Sequence, residues 1–367
     1  MSEFTGLPDL ASRQVGGSVA WANDELFAER ENLIRPQEPV YQPSTFGHKG
    51  QIYDGWETRR RREPGVDQAV VRLGLPGVVA GVVVDTAFFT GNYPPFCWVD
   101  AAAVEGYPSP AELSEVDWEP IVPRSELMGD TKNLFEVDDP QRYTHVRLTI
   151  DPDGGVARLR VHGTPVADPR FLDLSSLDLA ALENGAAIDD CSNMFYSSPA
   201  NLISPGSAAV MGEGWETARR RDDANDWVSV RLAAQGVVRL AELDTSHFKG
   251  NAPGWAELSG LTSDRWVQLL PRTRLQPDTR HRFLLRESPE VSQVRMDVYP
   301  DGGMARLRLY GGLTTAGRQD MVLRWYNRLP AGQAITLLTS AGLSTTDAGR
   351  LAAKRPAGEV PQVLSMM

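Results

Sequence analysis

Cysteine is nearly absent: Cys97 and Cys191 are the only two in 367 residues. A pair so far apart makes neither a disulfide framework nor a metal motif, and each reads as a small buried hydrophobe. No apolar run approaches the ~20 residues that a membrane-spanning helix needs. The first nine residues hold Glu3 and Asp9 with no basic start and no apolar stretch. No secretory signal is expected, and the cytoplasm is the expected compartment. Positive charge is in deficit, with 37 Lys+Arg against 48 Asp+Glu and a net charge of −11. That argues against nucleic acid or an anionic membrane as partner, because both demand a basic surface. There is no GxSxG elbow, no P-loop, no dinucleotide GxGxxG and no HExxH. Five histidines (His48, His145, His162, His247, His281) are scattered without metal-ligand spacing. The sequence requires no cofactor, and whether a divalent metal sits between Asp, Glu and His from distant strands stays open.

What is present in quantity is punctuation: 33 glycines and 26 prolines, with 41% hydrophobic residues to build cores. Such a chain suits short strands joined by turns, and its length suits two domains. The two are copies. GWETRRRREPGVDQAVVRLGLPGVVAGVVVDTAFFTGNYP (Gly55 to Pro94) aligns without a gap to a second block from Gly214 to Pro253, identical at 20 of 40 positions. HVRLTIDPDGGVARLRVHG (His145 to Gly163) matches QVRMDVYPDGGMARLRLYG (Gln293 to Gly311), and NLIRP (Asn32 to Pro36) matches NLISP (Asn201 to Pro205). The offset falls from 169 to 159 to 148, so the second copy is about ten residues shorter in each of two connections. Strands keep register while loops change length. The expected boundaries are 7–172 for the first repeat, 173–330 for the second, and 331–367 for a C-terminal extension.

Within each copy the signal is β. AVVRLGL and VSVRLAA are valine-rich stretches bounded by turn residues, as buried strands are. GVVAGVVVDTAFF is longer, and its internal glycine marks a bulge or a turn. THVRLTI and VARLRVHG flank Pro-Asp-Gly-Gly and read as a hairpin. Helix signals are few: near 24–32, near 174–182, and at the C-terminus, where Ser344 to Asp347 looks like a capping box. Residues 356–367 read as a loosely held tail. The expected class is all-β, two tandem jelly-roll sandwiches with a few short helices.

Three blocks concentrate polar groups. YDGWETRRRR holds Asp54, Glu57, Arg59 and Arg60, with Glu216 and Arg219 in its twin. Arginine forks bind carboxylates, but a solvated, salt-bridged loop is the bland alternative. DTAFFTGNYPP holds Asp85 and Asn92, matched by Asp244 and Asn251. Those side chains either face a site or satisfy their own turns. His145 is either a core histidine or a proton carrier, and its twin position is Gln293.

Together GWETRR, DTxxFxGNxP, PDGGxARLRxxG and the upstream NDELFAxxxNLIxP resemble the allantoicase (allantoate amidinohydrolase) family over about residues 7–330. The resemblance implies two galactose-binding-like jelly rolls, a homo-oligomer, and hydrolysis of allantoate to ureidoglycolate and urea. Set against that chemistry, Glu57 or Asp54 is the candidate base and His145 the candidate acid. Arg60, with Arg59 beside it, is the carboxylate anchor, and Asp85 and Asn92 contact the ureido groups. Glu216, Arg219, Asp244 and Asn251 are the second-copy candidates, with the better-equipped first copy favoured. Two other readings stand beside it. One is a carbohydrate-binding protein stacking sugars on Trp56 and Trp215; the other is an enzyme acting on ureidoglycolate.

Overall fold

The computed structural model describes residues 3–47, 50–172 and 176–364. The chain divides into two compact units, Met1–Val166 with Arg328–Pro330, and Ala167–Asn327 with Ala331–Met367. Both are built on antiparallel sheets, and the second carries helices as well.

Each unit is organised by one 19-residue strand, Asp67–Asp85 in the first and Asp226–Asp244 in the second. What the sequence presents as two valine-rich stretches is one strand whose partners change halfway. Its first half pairs with Ser18–Ala22 and with Arg142–Asp151. Its second half pairs with Arg158–Pro165 and Lys132–Glu136. The handover falls between Arg72 and Gly77, where the register breaks. Leu73-Gly74-Leu75-Pro76 occupies that break, and a proline without an N–H sits there at no cost to the ladder. A second irregularity skips Ala80, beside the internal Gly81. One long strand thus serves both layers of a jelly-roll sandwich. Arg142–Asp151 then pairs outward with Phe96–Ala102, and that strand with Glu119–Glu126. The second unit repeats the scheme, breaking between Arg231 and Gly236.

The expected hairpin about Pro-Asp-Gly-Gly does not form. Arg142–Asp151 and Arg158–Pro165 each pair with the long strand, at opposite ends, and not with each other. The turn between them is instead a corner that crosses from one layer to the other. Its Gly155–Val156 pairs with Trp56–Glu57, as Gly303–Met304 pairs with Trp215–Glu216.

Helices fall elsewhere than expected: a short one, Pro110–Ser114, forms in the first repeat, and the longer ones gather towards the C-terminus. The stretch near 24–32 yields only a 3-10 turn at Arg30–Ile34. Of the stretch near 174–182, residues 173–175 lie outside the described residues, and the remainder holds a two-residue strand, Leu177–Asp178. The C-terminal helix Thr345–Ala352 is capped by Ser344, whose hydroxyl accepts from the Asp347 N–H. Two further helices, Thr315–Arg328 and Ala331–Ser340, precede it. The described part of the tail, up to residue 364, is tied down, not loose: Asn327 and Ala357 exchange hydrogen bonds of 2.8 and 2.9 Å, and Leu364 is buried.

The corner explains its own glycines. A Cβ on Gly155 would stand 2.0 Å from the buried Phe89 ring, and one on Gly303 2.2 Å from Phe248. Gly91 has open space around it. Gly155→Ala and Gly303→Ala should each cost about 2–3 kcal/mol, the upper range for overpacking, while Gly91→Ala stays within about 0.5 kcal/mol. Urea-denaturation midpoints check this, and equal midpoints for all three would contradict the corner packing.

Candidate active site

The corner draws the first two polar blocks of the sequence together. Asp153 accepts from the Arg61 N–H at 2.8 Å, and Gly154 and Thr58 exchange hydrogen bonds through backbone and hydroxyl. The Gly155 N–H donates to the Asn92 carbonyl at 2.8 Å, and the Ala157 N–H to the Asp85 carbonyl at 2.7 Å. Asp153 is thus the strap of the first block, and Arg61 is held against Asp67 at 2.7 Å.

At this junction Glu57 and Asn92 meet. The Asn92 Nδ2 donates to Glu57 Oε1 at 2.7 Å, while Oε2 is buried with no hydrogen-bond partner among the described residues. Burial pushes the Glu57 carboxyl above its ordinary value, only partly offset by Asn92. The second repeat builds the same pair, Asn251 Nδ2 donating to Glu216 Oε1 at 2.6 Å. Sequence separation is 35 residues in both pairs. The duplication therefore preserved a contact as well as two motifs.

Asp85 closes the long strand and is buried, its Oδ1 accepting from the Ala87 N–H at 2.9 Å. Burial raises its pKa. Asp244 repeats the turn with Ser246. Asp54 is held differently. It accepts from Arg158 Nη2 and from the Val40 N–H, both at 2.9 Å, and pairs with Arg35 at 3.4 Å. Those partners outweigh its desolvation and keep its carboxylate below the ordinary range. Of the arginine run, Arg59 is bound to Asp24. Arg60 and its twin Arg219 are exposed, with no hydrogen bond or ion pair to a described residue.

The structure does not bring His145 to this junction. It lies mid-strand opposite Arg72 and Ala102, ten residues before the corner glycine, 1% exposed and bonded through Nδ1 to the Thr144 hydroxyl at 2.8 Å. Burial and the nearby Arg72 charge lower its pKa to about 4, so it is a neutral core imidazole at pH 7. His162, His247 and His281 bond backbone groups, and His48 lies outside the described residues. Trp56 and Trp215 are 0% exposed, each donating its indole N–H to a carbonyl. Buried rings cannot stack on sugars, and the carbohydrate-platform reading fails there. Among the described residues no cluster of three or more His, Cys, Asp or Glu could hold a metal ion. No helix among them is long and apolar enough to cross a membrane.

Arg158 escaped the sequence reading. Fully buried, it spans the Gln37, Asp54 and Ala157 carbonyls as well as the Asp54 carboxylate. Arg306 does the same at Gly206, Glu213 and Ala305 with backbone carbonyls alone. The signal was available, since ARLR opens the same strand in both repeats. Beside Arg158 a cleft of about 560 Å³ opens, lined by Asn32, Arg35, Gln37, Gln51, Tyr53 and Asp54 among others. Much of its wall belongs to the 36–53 segment, the connection that is ten residues shorter in the second repeat.

Two jelly-roll repeats, each setting a glutamate against an asparagine amide at the same corner, the first buried and the second half-buried, define a duplicated hydrolase-like scaffold. A sequence model of the allantoicase repeat matches residues 8–166 and 177–314. A probable allantoicase of Nocardia farcinica is 60% identical over 84% of this chain and 95% of its own length. One from Streptomyces coelicolor is 49% identical over 88% and 89%. The crystal structure of allantoicase from Saccharomyces cerevisiae superposes with a TM-score of 0.73 at 34% identity, over 84% of this chain and 96% of that one. The chain belongs to the allantoicase family.

Glu57 makes stability pH-dependent in a defined sense. Its folded-state pKa lies above the unfolded one, so the folded state binds more protons and stability falls as pH rises from about 4.5. Glu57→Gln keeps the acceptor for Asn92 and removes that titration. Its denaturation midpoint should fall less between pH 4.5 and 7 than that of the parent protein; parallel pH curves would show that Glu57 is not desolvated.

Proposed function

We propose that the protein hydrolyses allantoate to ureidoglycolate and urea, with Glu57 as the proton-transfer group of the first repeat. The chain's high identity to named allantoicases supports the reaction. The observation that carries the role is the Glu57–Asn92 pair. Allantoate bears two ureido groups and a carboxylate on one carbon. Releasing urea breaks a C–N bond, puts a proton on the departing nitrogen, and adds the hydroxyl of water to the carbon. A buried carboxylic acid with a raised pKa suits the donation, because it keeps its proton above the ordinary range. Since the Asn92 N–H occupies Oε1, that proton belongs on Oε2, the oxygen without a partner. The carboxylate left behind then takes a proton from the adding water, which restores the acid and balances the reaction. Asn92 acts by fixing which oxygen carries the proton. His145 is dropped as the acid, for it is distant and neutral.

We also place the enzyme in the cytoplasm as a homo-oligomer. Asp54, engaged by Arg158, Arg35 and a backbone N–H, is a positioning group in this scheme and not the base. Urea release from allantoate tests the reading directly. Glu57→Gln should lower kcat by about 100-fold or more, the usual worth of a positioned acid–base group, with Asn92→Ala losing part of that. Glu216→Gln should leave most of the turnover. Loss confined to Glu216→Gln would move the chemistry to the second repeat, and no urea release by the parent protein, with or without added divalent metal, would end the proposal.

A further inference from the structure

The cleft of the first repeat carries a feature that the second lacks. Asn32 sits on its wall, 7% exposed, with Nδ2 donating to the Gly55 carbonyl at 2.8 Å. That bond fixes the orientation of the amide. It leaves Oδ1 buried and with no hydrogen-bond partner among the described residues. A buried acceptor without a donor costs free energy until a ligand supplies one. Across the same cleft Arg35 reaches Asp54 through one nitrogen at 3.4 Å, its side chain 55% exposed. The rest of its guanidinium is available to an anion. The cleft therefore offers a buried acceptor for an N–H and a free fork for a carboxylate.

Neither half of this arrangement is complete in the second repeat. Arg35 is replaced by Ser204 in the matching NLISP, and the 36–53 wall is ten residues shorter. Asn201 keeps the bond to its own Gly214 carbonyl at 2.8 Å but is less buried than Asn32. Duplication thus explains the amide, and divergence confined to one copy explains the arginine and the enclosed volume.

We infer that the cleft binds a small carboxylate bearing a urea group, with Asn32 Oδ1 accepting a ureido N–H and Arg35 pairing with the carboxylate. The inference rests on the proposed reaction, whose substrate and product both belong to this class. Glu57 does not line the cleft, but Ala28 does, and Ala28 exchanges backbone hydrogen bonds with Glu57. The site therefore lies one strand pairing away from the acid. It selects a ligand and performs no bond-making step.

N-carbamoylglycine, a stable ureido carboxylate that the enzyme has no second ureido group to expel from, is the probe. Calorimetric titration of the intact protein should show binding, weakened about tenfold or more in Arg35→Ser, which installs the second repeat's own residue, and in Asn32→Leu. Glu57→Gln, at a residue that does not line the cleft, should bind the probe as the parent does. If Asn32→Leu fails to fold, Arg35→Ser alone decides, since that side chain is largely in solvent. In turnover assays a raised KM with kcat held marks the cleft as a seat for substrate. An unchanged KM with lost inhibition by the probe marks it as a seat for product. Equal probe affinity in the parent and Arg35→Ser, or no probe binding at all, overturns the inference whether or not the parent releases urea from allantoate. Probe binding without urea release would retain the cleft and reject the reaction.

Discussion

The structure turns on one corner, Asp153-Gly154-Gly155, and on the fact that its glycines have no side chains. Gly155 can lie on the face of Phe89 and donate to the Asn92 carbonyl only because nothing projects from its Cα. Gly154 adopts a φ of +144° that L side chains rarely reach, and a Cβ there would meet the Asn92 carbonyl at 2.7 Å. Through these contacts one turn binds the strand carrying Glu57 and the loop carrying Asn92. Gly55 completes the packing from the other side, between Phe89 and Val156. The second repeat packs Gly214 and Gly303 against Phe248 in the same way. A carboxyl group can be held away from water only if its surroundings are rigid enough to keep water out, and close backbone packing supplies that rigidity.

From that corner the two repeats diverge in how they neutralise a buried guanidinium. Arg158 and Arg306 both receive a carbonyl at Nε at 3.0 Å, from Gln37 and Gly206, which are equivalent positions. Arg158 also takes the carboxylate of Asp54, whereas the longer Glu213 turns back to accept from the Ala209 N–H at 2.7 Å. Without a carboxylate, Arg306 is left with its pKa lowered by burial and by Arg308. At this position the first repeat thus pairs its buried arginine with a carboxylate, and the second does not. In the first repeat the pairing spends Asp54 on structure, whereas the Glu57 carboxylate accepts, among the described residues, only from the neutral Asn92 amide.

Much of this was legible in the sequence, and the gaps have physical causes. The strand-forming stretches, the duplication and the shortened loops could be read because valine-rich runs keep register while connections drift, but not that the two stretches are one strand. Glu57 and Asn92 were recognisable as candidates because both fall in the gap-free 40-residue block. Their contact was not, since it depends on the corner, which lies some sixty residues after Asn92. The corner itself was misjudged because Pro-Asp-Gly-Gly between two alternating stretches satisfies every local requirement of a hairpin. Only the competition for a third strand, Asp67–Asp85, pulls its flanks apart. His145 and the tryptophans misled for a related reason. Their side chains can serve function or core equally well, and the deciding quantity, burial, is tertiary. The helix Thr315–Arg328 shows a buried stripe of Met321, Val322, Trp325 and Tyr326, a helical spacing that lies beyond the last block shared by the two copies, which ends at Gly311.

A duplicated fold also frees one copy to specialise without rebuilding the core. The glycine packing behind Glu57 and Glu216 is shared, so neither copy can lose its glycines without losing its corner. The connection from 36 to 53 bears none of that burden, and loop closure makes ten extra residues inexpensive, well under 1 kcal/mol by the logarithmic dependence on length. The chain places its repeat-specific polar groups there and at Arg35, on the rim of the cleft, and keeps the shared carboxylate–amide pair on the rigid strands behind it. Divergence is therefore mounted where the sequence is cheap to vary, and the shared carboxylate–amide pair where it is expensive.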